Sequence, residues 1–220
     1  MTDNFDLIRC YMKDLGIPET NGRDSDDVFE IELVRRGKDN PGMPAANYNF
    51  KNYYVDSLER LDKFADEIKK CCDIFRLRAY VSVNVKSKRK LQLQCLKAIS
   101  DKLLNEDSRN PWKTFSSVFG KTVPDKDKKR WVVDIDFQDD ADDDEYINSV
   151  MKTVNSCQSG YKDNVIMMIP TKSGVHLITH PFNLKEYMDK MDELVKNVWE
   201  DNVDIPDIKE NHLTLLYENI

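Results

Sequence analysis

The sequence predicts a mixed α/β protein whose last ninety residues run β-α-β-β-α-β behind an amino-terminal αβ lobe. Three observations predict it. Short apolar runs with strand character recur at Trp131–Phe137, Val165–Ile169, Val175–Thr179 and His212–Tyr217. Between them lie two stretches of helical spacing, one through Tyr146, Ile147, Val150 and Val154, the other through Leu184, Tyr187, Met191, Val195 and Val198. The charge balance also changes where this unit begins. Residues 131–220 carry 7 Lys+Arg against 19 Asp+Glu, whereas residues 1–130 carry 26 against 21.

The elements follow in order. Val28–Val34 reads as a strand because Phe29, Ile31 and Leu33 alternate with Glu30 and Glu32. A Gly/Pro/Asn-rich loop leads to an aromatic strand, Phe50–Val55. Asp56 with Glu59 forms a capping-box pattern ahead of a helix whose stripe is Leu58, Leu61, Ala65, Ile68 and Cys72. Arg76–Val85 alternates cleanly, with Leu77, Ala79, Val81, Val83 and Val85 facing one way and Arg78, Tyr80, Ser82 and Asn84 the other. Ser87 caps a helix to about Leu104, and Asn105–Arg130 reads as a polar, lysine-rich connection. Asp143 or Asp144 caps the next helix, and Leu184–Trp199 is the last. This order is that of the split βαβ, the ferredoxin-like or RRM-like unit. In it the first and third strands are central, the fourth lies beside the first, and both helices cover one face. The division expected is 1–125 for the basic lobe and 126–220 for the core, forming one composite domain.

Composition excludes several classes. No apolar run approaches the roughly 18 residues of a membrane span, and the start Met1–Asp6 is too polar and acidic for a secretory signal. Five cysteines, none in C-x-x-C, exclude a zinc ribbon and argue against a disulfide scaffold. The expectation is a cytoplasmic protein with no membrane contact.

Chemistry concentrates on two strands. In Val132-Val133-Asp134-Ile135-Asp136-Phe137, period two puts Asp134 and Asp136 on one face and the apolar residues on the other. Two carboxylates so close on a central strand repel each other unless a cation sits between them, and hard oxygen ligands suit Mg²⁺ or Mn²⁺. The second segment is Thr171-Lys172-Ser173-Gly174-Val175-His176-Leu177, a small polar turn running into a strand. If Val175 and Leu177 pack on the helices, His176 projects beside the two aspartates. The turn's amides, the Ser173 hydroxyl and the Lys172 ammonium suit a phosphate.

These two motifs resemble the catalytic core of the archaeo-eukaryotic primase, or primase-polymerase, superfamily. Lys129–Asp136 is similar to the first motif in the polymerase domain of bacterial end-joining DNA ligases, and Gly174-Val175-His176 is similar to the second, small-x-His, motif. The resemblance implies template-directed nucleotidyl transfer on DNA or RNA with nucleoside triphosphates and divalent metal. It implies Asp134 and Asp136 as metal ligands, with Lys172, Ser173, Gly174 and His176 on the phosphates and a replication or repair protein as partner. Arg78 is a further candidate for the nucleotide, and Tyr80, Asn84, Lys86, Lys88 and Arg89 are candidates for the nucleic acid. The family's third motif is an acid on the strand after the second helix. His212–Tyr217 contains none, with Glu218 at its end and Asp204 and Asp207 before it.

Two other readings remain open. One is a catalytically inactive primase-like accessory protein that binds nucleotide or nucleic acid. The other is a haloacid-dehalogenase-type phosphatase, which also opens with D-x-D. That fold needs a later lysine and acid pair on a parallel sheet, and only 84 residues follow Asp136.

Overall fold

The computed structural model describes residues 1–20, 25–40, 42, 46–105, 113–137, 143–198 and 203–219. The elements in chain order are β1 (Thr2–Asp3), α1 (Phe5–Asp14), β2 (Asp27–Arg35), β3 (Tyr48–Val55), α2 (Leu58–Phe75), β4 (Arg78–Ser82), β5 (Lys86–Ser87), α3 (Lys88–Leu104) and α4 (Thr114–Lys121). After them come β6 (Trp131–Asp136), α5 (Asp143–Ser156), β7 (Val165–Pro170), β8 (Gly174–Thr179), α6 (Leu184–Val198), β9 (Asp207–Lys209) and β10 (Leu213–Glu218). The class is mixed α/β with antiparallel sheets.

Two sheets carry the architecture. One runs β1-β10-β4-β2-β3, with β5 attached to β2, and the other runs β7-β8-β6-β9. On the first sheet the alternation of β2 and β4 is realised. Ile31, Leu33, Ala79 and Val81 are buried with α1 and α2, and the polar residues between them face the other way. On the second, Val133, Ile135, Val175 and Leu177 pack with the apolar stripes of α5 and α6. The opposite face of that sheet is not left to solvent, because Val132, Ile169 and Ile178 join the core of the first lobe.

The last strand departs from expectation. His212–Tyr217 does not lie beside β6; as β10 it pairs with β4 and β1 in the first sheet. The place beside β6 goes to the three-residue β9. Burial explains the difference. Thr214, Leu215, Leu216, Tyr217 and Glu218 are all buried, with a bulge between Leu215 and Tyr217, so both faces of β10 need cover. The first sheet, sandwiched between α1 and α2 and the second lobe, supplies it.

Local corrections are smaller. Ser57, not Asp56, caps α2 by accepting from the Arg60 amide at 3.2 Å. Asp56 instead pairs with Arg60 at 3.1 Å and Lys88 at 2.8 Å. Ser87 caps α3 as expected, accepting from the Lys90 amide at 3.1 Å. The polar connection contains α4, whose Val118 and Phe119 bury against Leu91 and Val28. The residue before α5 and Trp199 lie outside the described residues. Among the described residues no helix is long and apolar enough to cross a membrane.

Asn84 fastens the two lobes. Its side chain is fully buried, accepts from the Arg130 amide at 2.7 Å, and donates to the carbonyls of Arg130 at 3.0 Å and Glu210 at 3.2 Å. Asn84→Ala leaves those buried backbone groups unpaired, so thermal or urea unfolding is expected to register a loss of about 2–4 kcal/mol.

Candidate functional site

The polar faces of the two sheets enclose a cleft of about 580 Å³. The second sheet contributes Asp134, Asp136, His176 and Lys209, and the β7–β8 turn adds Thr171, Lys172 and Ser173. The first sheet and its loop contribute Glu32, Asn49, Arg78, Tyr80, Arg36 and Lys38, with His212 and Leu215 beside them. An acidic cleft of about 330 Å³ adjoins it, lined by Asp134, Asp136, Tyr146, Asp204 and Asp207.

Register builds the centre. Antiparallel pairing sets Asp134 directly across from His176 on β8 and from Asp207 on β9. His176 Nε2 lies 3.0 Å from Asp134 Oδ1, and Lys209 Nζ pairs with Asp134 Oδ2. The hydrogen bond from His176, joined by that from Lys209, outweighs burial and holds the Asp134 carboxyl well below the usual carboxylate range. An ionised carboxylate only accepts, so the Nε2 hydrogen of His176 points at Asp134. Nδ1 on the other side of the ring lies 3.0 Å from the Thr214 hydroxyl, so both ring nitrogens are engaged. The Thr-His-Asp chain looks like a nucleophile relay, but Thr214 is fully buried and cannot meet a substrate. Its role is to fix the ring, and the ring in turn fixes Asp134.

Asp136 sits exposed at the end of β6, opposite Gly174. A Cβ on Gly174 would lie 2.0 Å from the Ile135 carbonyl oxygen, so only glycine lets the small-x-His strand approach the aspartate strand this closely. The turn before it is partly engaged. The Thr171 amide donates to the Gly174 carbonyl at 2.9 Å, and the Ser173 carbonyl accepts from Phe137 at 2.8 Å. The Lys172 ammonium and the side chain of Ser173 stay at the cleft surface.

The expected residues divide into three groups. Asp134, Asp136, Lys172, Ser173 and His176 come together as read, with Gly174 beneath them. Arg78 and Tyr80 also reach the cleft, but each is committed. Arg78 is buried between Asp39 at 2.8 Å and Glu218 at 3.1 Å, and Tyr80 accepts from Arg36 at 3.3 Å. Glu218, tied to Arg78 on the first sheet, is therefore not drawn toward Asp134. Asn84, Lys86, Lys88 and Arg89 do not line the cleft. Lys86 is buried with its ammonium on Asn211 at 3.2 Å, and desolvation pushes it down to about 8. Lys88 is paired with Asp56, and Arg89 is exposed at the start of α3, its amide donating to Asp26 at 2.9 Å.

Sequence reasoning missed Lys209, the Thr214 contact and the wall formed by Glu32, Arg36, Lys38 and Asn49. The signal for Lys209 was faint, a three-residue alternation in Asp207-Ile208-Lys209. Among the described residues no group of three or more His, Cys, Asp or Glu side chains is gathered to hold a metal ion. Asp134, Asp136 and Asp207 share the acidic cleft without closing on one point, and the cation on Asp134 is the Lys209 ammonium. Compared with protein-family models, curated proteins and solved structures, the chain matches none.

Two measurements follow from these contacts. Gly174→Ala forces backbone apart and is expected to lower the melting temperature by the equivalent of about 2 kcal/mol or more. Burial, as the leading cause, holds His180 and His212 each at about 4. The unfolded chain takes protons on both near pH 6.5. Their contribution to stability is therefore full above that pH and is lost as pH falls toward 4. The melting temperature should drop over this window, and His212→Asn should flatten the drop.

Proposed function

We propose that the protein is a metal-dependent nucleotidyltransferase of primase-polymerase type, using nucleoside triphosphates on a nucleic-acid template. One observation carries the reading. The two aspartates of β6 and the Lys172-Ser173 turn, distant in sequence, open into a single cleft between two sheets. The strand order β9-β6-β8-β7, with α5 and α6 packed on one face, supports an RRM-like core of the kind the resemblance implies. Aspartate Asp207, set beside Asp134 by β9, supplies the third acid that the last strand lacks.

The donor set fits a hard divalent ion. Carboxylate oxygens suit Mg²⁺ or Mn²⁺, and Asp134 already accepts a cation in the form of the Lys209 ammonium. Asp134 and Asp136 would hold the metal, with Asp207 lining the same acidic cleft. When bound it neutralises the triphosphate and polarises the bond to be broken. The chain's own residues do the rest. His176 and Thr214 keep Asp134 ionised and correctly turned, Lys172 and Ser173 receive phosphate oxygens, and Arg36, Lys38 and Tyr80 face the remainder of the nucleotide or the strand it joins. Lys88 and Arg89, outside the cleft, are left for more distant contacts with the template.

Thermal melting with Mn²⁺ and a nucleoside triphosphate tests this reading. Saturation at about a hundredfold over Kd stabilises by roughly 2.7 kcal/mol, a rise of several degrees. The doubly substituted Asp134→Ala, Asp136→Ala chain should show no rise, and primer extension on a DNA template should vanish with it. Absence of any rise in the unaltered chain overturns the proposal. A rise without extension leaves the accessory role, binding without transfer.

A further inference from the structure

We infer that Lys209 is a phosphate ligand of this site, held on Asp134 as an internal counter-ion until metal and triphosphate arrive; the inference rests on the nucleotidyl-transfer reading and deepens it. Its warrant is placement. In β9, Lys209 lies across from Val132 and Asp207 across from Asp134, and period two sends both side chains to the same side. Lys209 reaches Asp134 Oδ2, while His176 takes the other oxygen at 3.0 Å. The side chain remains 33% exposed and lines the large cleft together with Lys172, Ser173, Arg36 and Lys38.

The charges then dictate an exchange. Asp134 shares its strand face with Asp136 and lies across from Asp207, and the ammonium answers the oxygen of Asp134 that His176 does not. A divalent ion on Asp134 makes the ammonium redundant there, since two cations at one carboxylate oxygen repel. Lysine is suited to leave. Its head is a compact charge with three donors on a flexible four-carbon stem, so it can swing without moving β9. The cleft it lines is where the β- and γ-phosphates of a metal-bound triphosphate would enter, and an ammonium binds phosphate as a point charge. Lys209 thus competes with metal alone but cooperates with metal plus triphosphate. The two effects have opposite signs, which no merely structural lysine produces.

Calorimetric titration of the full chain separates them, with Mn²⁺ alone and with ATP at saturating Mn²⁺. Lys209→Met is expected to bind Mn²⁺ about fivefold more tightly and Mn²⁺–ATP about tenfold more weakly than the unaltered chain. Lys209→Arg, which keeps the charge, should stay within about threefold of the unaltered chain for ATP. Lys209→Gln repeats the comparison with a polar neutral head if the methionine chain does not fold. Both affinities moving in the same direction, or neither moving, overturns the role of Lys209 while the unaltered chain still binds Mn²⁺–ATP. Failure of the unaltered chain to bind Mn²⁺ or ATP at all defeats the underlying reading as well.

Discussion

A half-buried ionised carboxylate is the constraint on which the centre of this molecule depends. Removing Asp134 from water costs several kcal/mol unless partners answer both of its oxygens. One oxygen faces His176 and the other Lys209, brought from β8 and β9 by pairing on either side of β6. The first contact propagates. With Nε2 committed to Asp134, the other ring nitrogen of His176 needs a hydrogen-bond partner of its own, and the Thr214 hydroxyl on the opposite sheet is that partner. A single charge thereby fixes the facing of three strands and links the two sheets across their polar seam. Removing one member leaves the others buried without partners, so the network acts as a unit.

The path of β10 explains why that seam exists. Had the final strand stayed beside β6, the second lobe would close as a self-contained sheet with one face open. Instead three short residues fill that place, and the chain crosses to lie between β1 and β4. Asn84 ties the end of β4 to Arg130 and Glu210 on the other side of the crossing. The two polar faces are thus held opposite each other as the walls of a cleft, and neither lobe contains the whole site. Arg78, Asp39 and Glu218 form a buried ion-pair cluster along the same wall. Glu218 belongs to β10, so the charge that anchors the crossing strand is drawn from the amino-terminal lobe.

Much of this was legible in sequence, and the failures have physical causes. Strands β2 and β4 alternate because one face meets helices and the other polar groups, and β6 and β8 do so around Asp134 and His176, although Val132 and Ile178 on that same face are apolar and buried. That alternation set Asp134 and His176 on a common face. What alternation does not say is whether a polar face meets water. Asn84 and Lys86 were read as presented to a ligand, yet they are buried against Arg130, Glu210 and Asn211, and Arg78, though it reaches the cleft, is held between Asp39 and Glu218. Burial on both faces erased the period of β10 and left no cue for its sheet, while β9 is too short to have a period at all. Helix α1 was overlooked although Phe5, Ile8, Tyr11 and Met12 carry helical spacing and are buried. Helix α4 was hidden because it is eight residues long and buries only Val118 and Phe119 of its apolar side chains, within a stretch rich in lysine.

The unequal charge of the two halves acquires a local meaning at the cleft. From the half with net charge −12 come Asp134, Asp136, Lys172 and Lys209, and from the half with net charge +5 come Glu32, Arg36 and Lys38, so each half brings both signs to it. Spread over the surface, such an excess would be screened within about 10 Å at ordinary salt. At the cleft the charges meet at contact distance instead, as Lys209 does with Asp134. Lys172 on the turn and Lys209 on β9 bring cations of the acidic half into the same lining as Arg36 and Lys38 of the basic one. The asymmetry visible in composition is therefore resolved at the cleft, where acids and bases from both halves face one another.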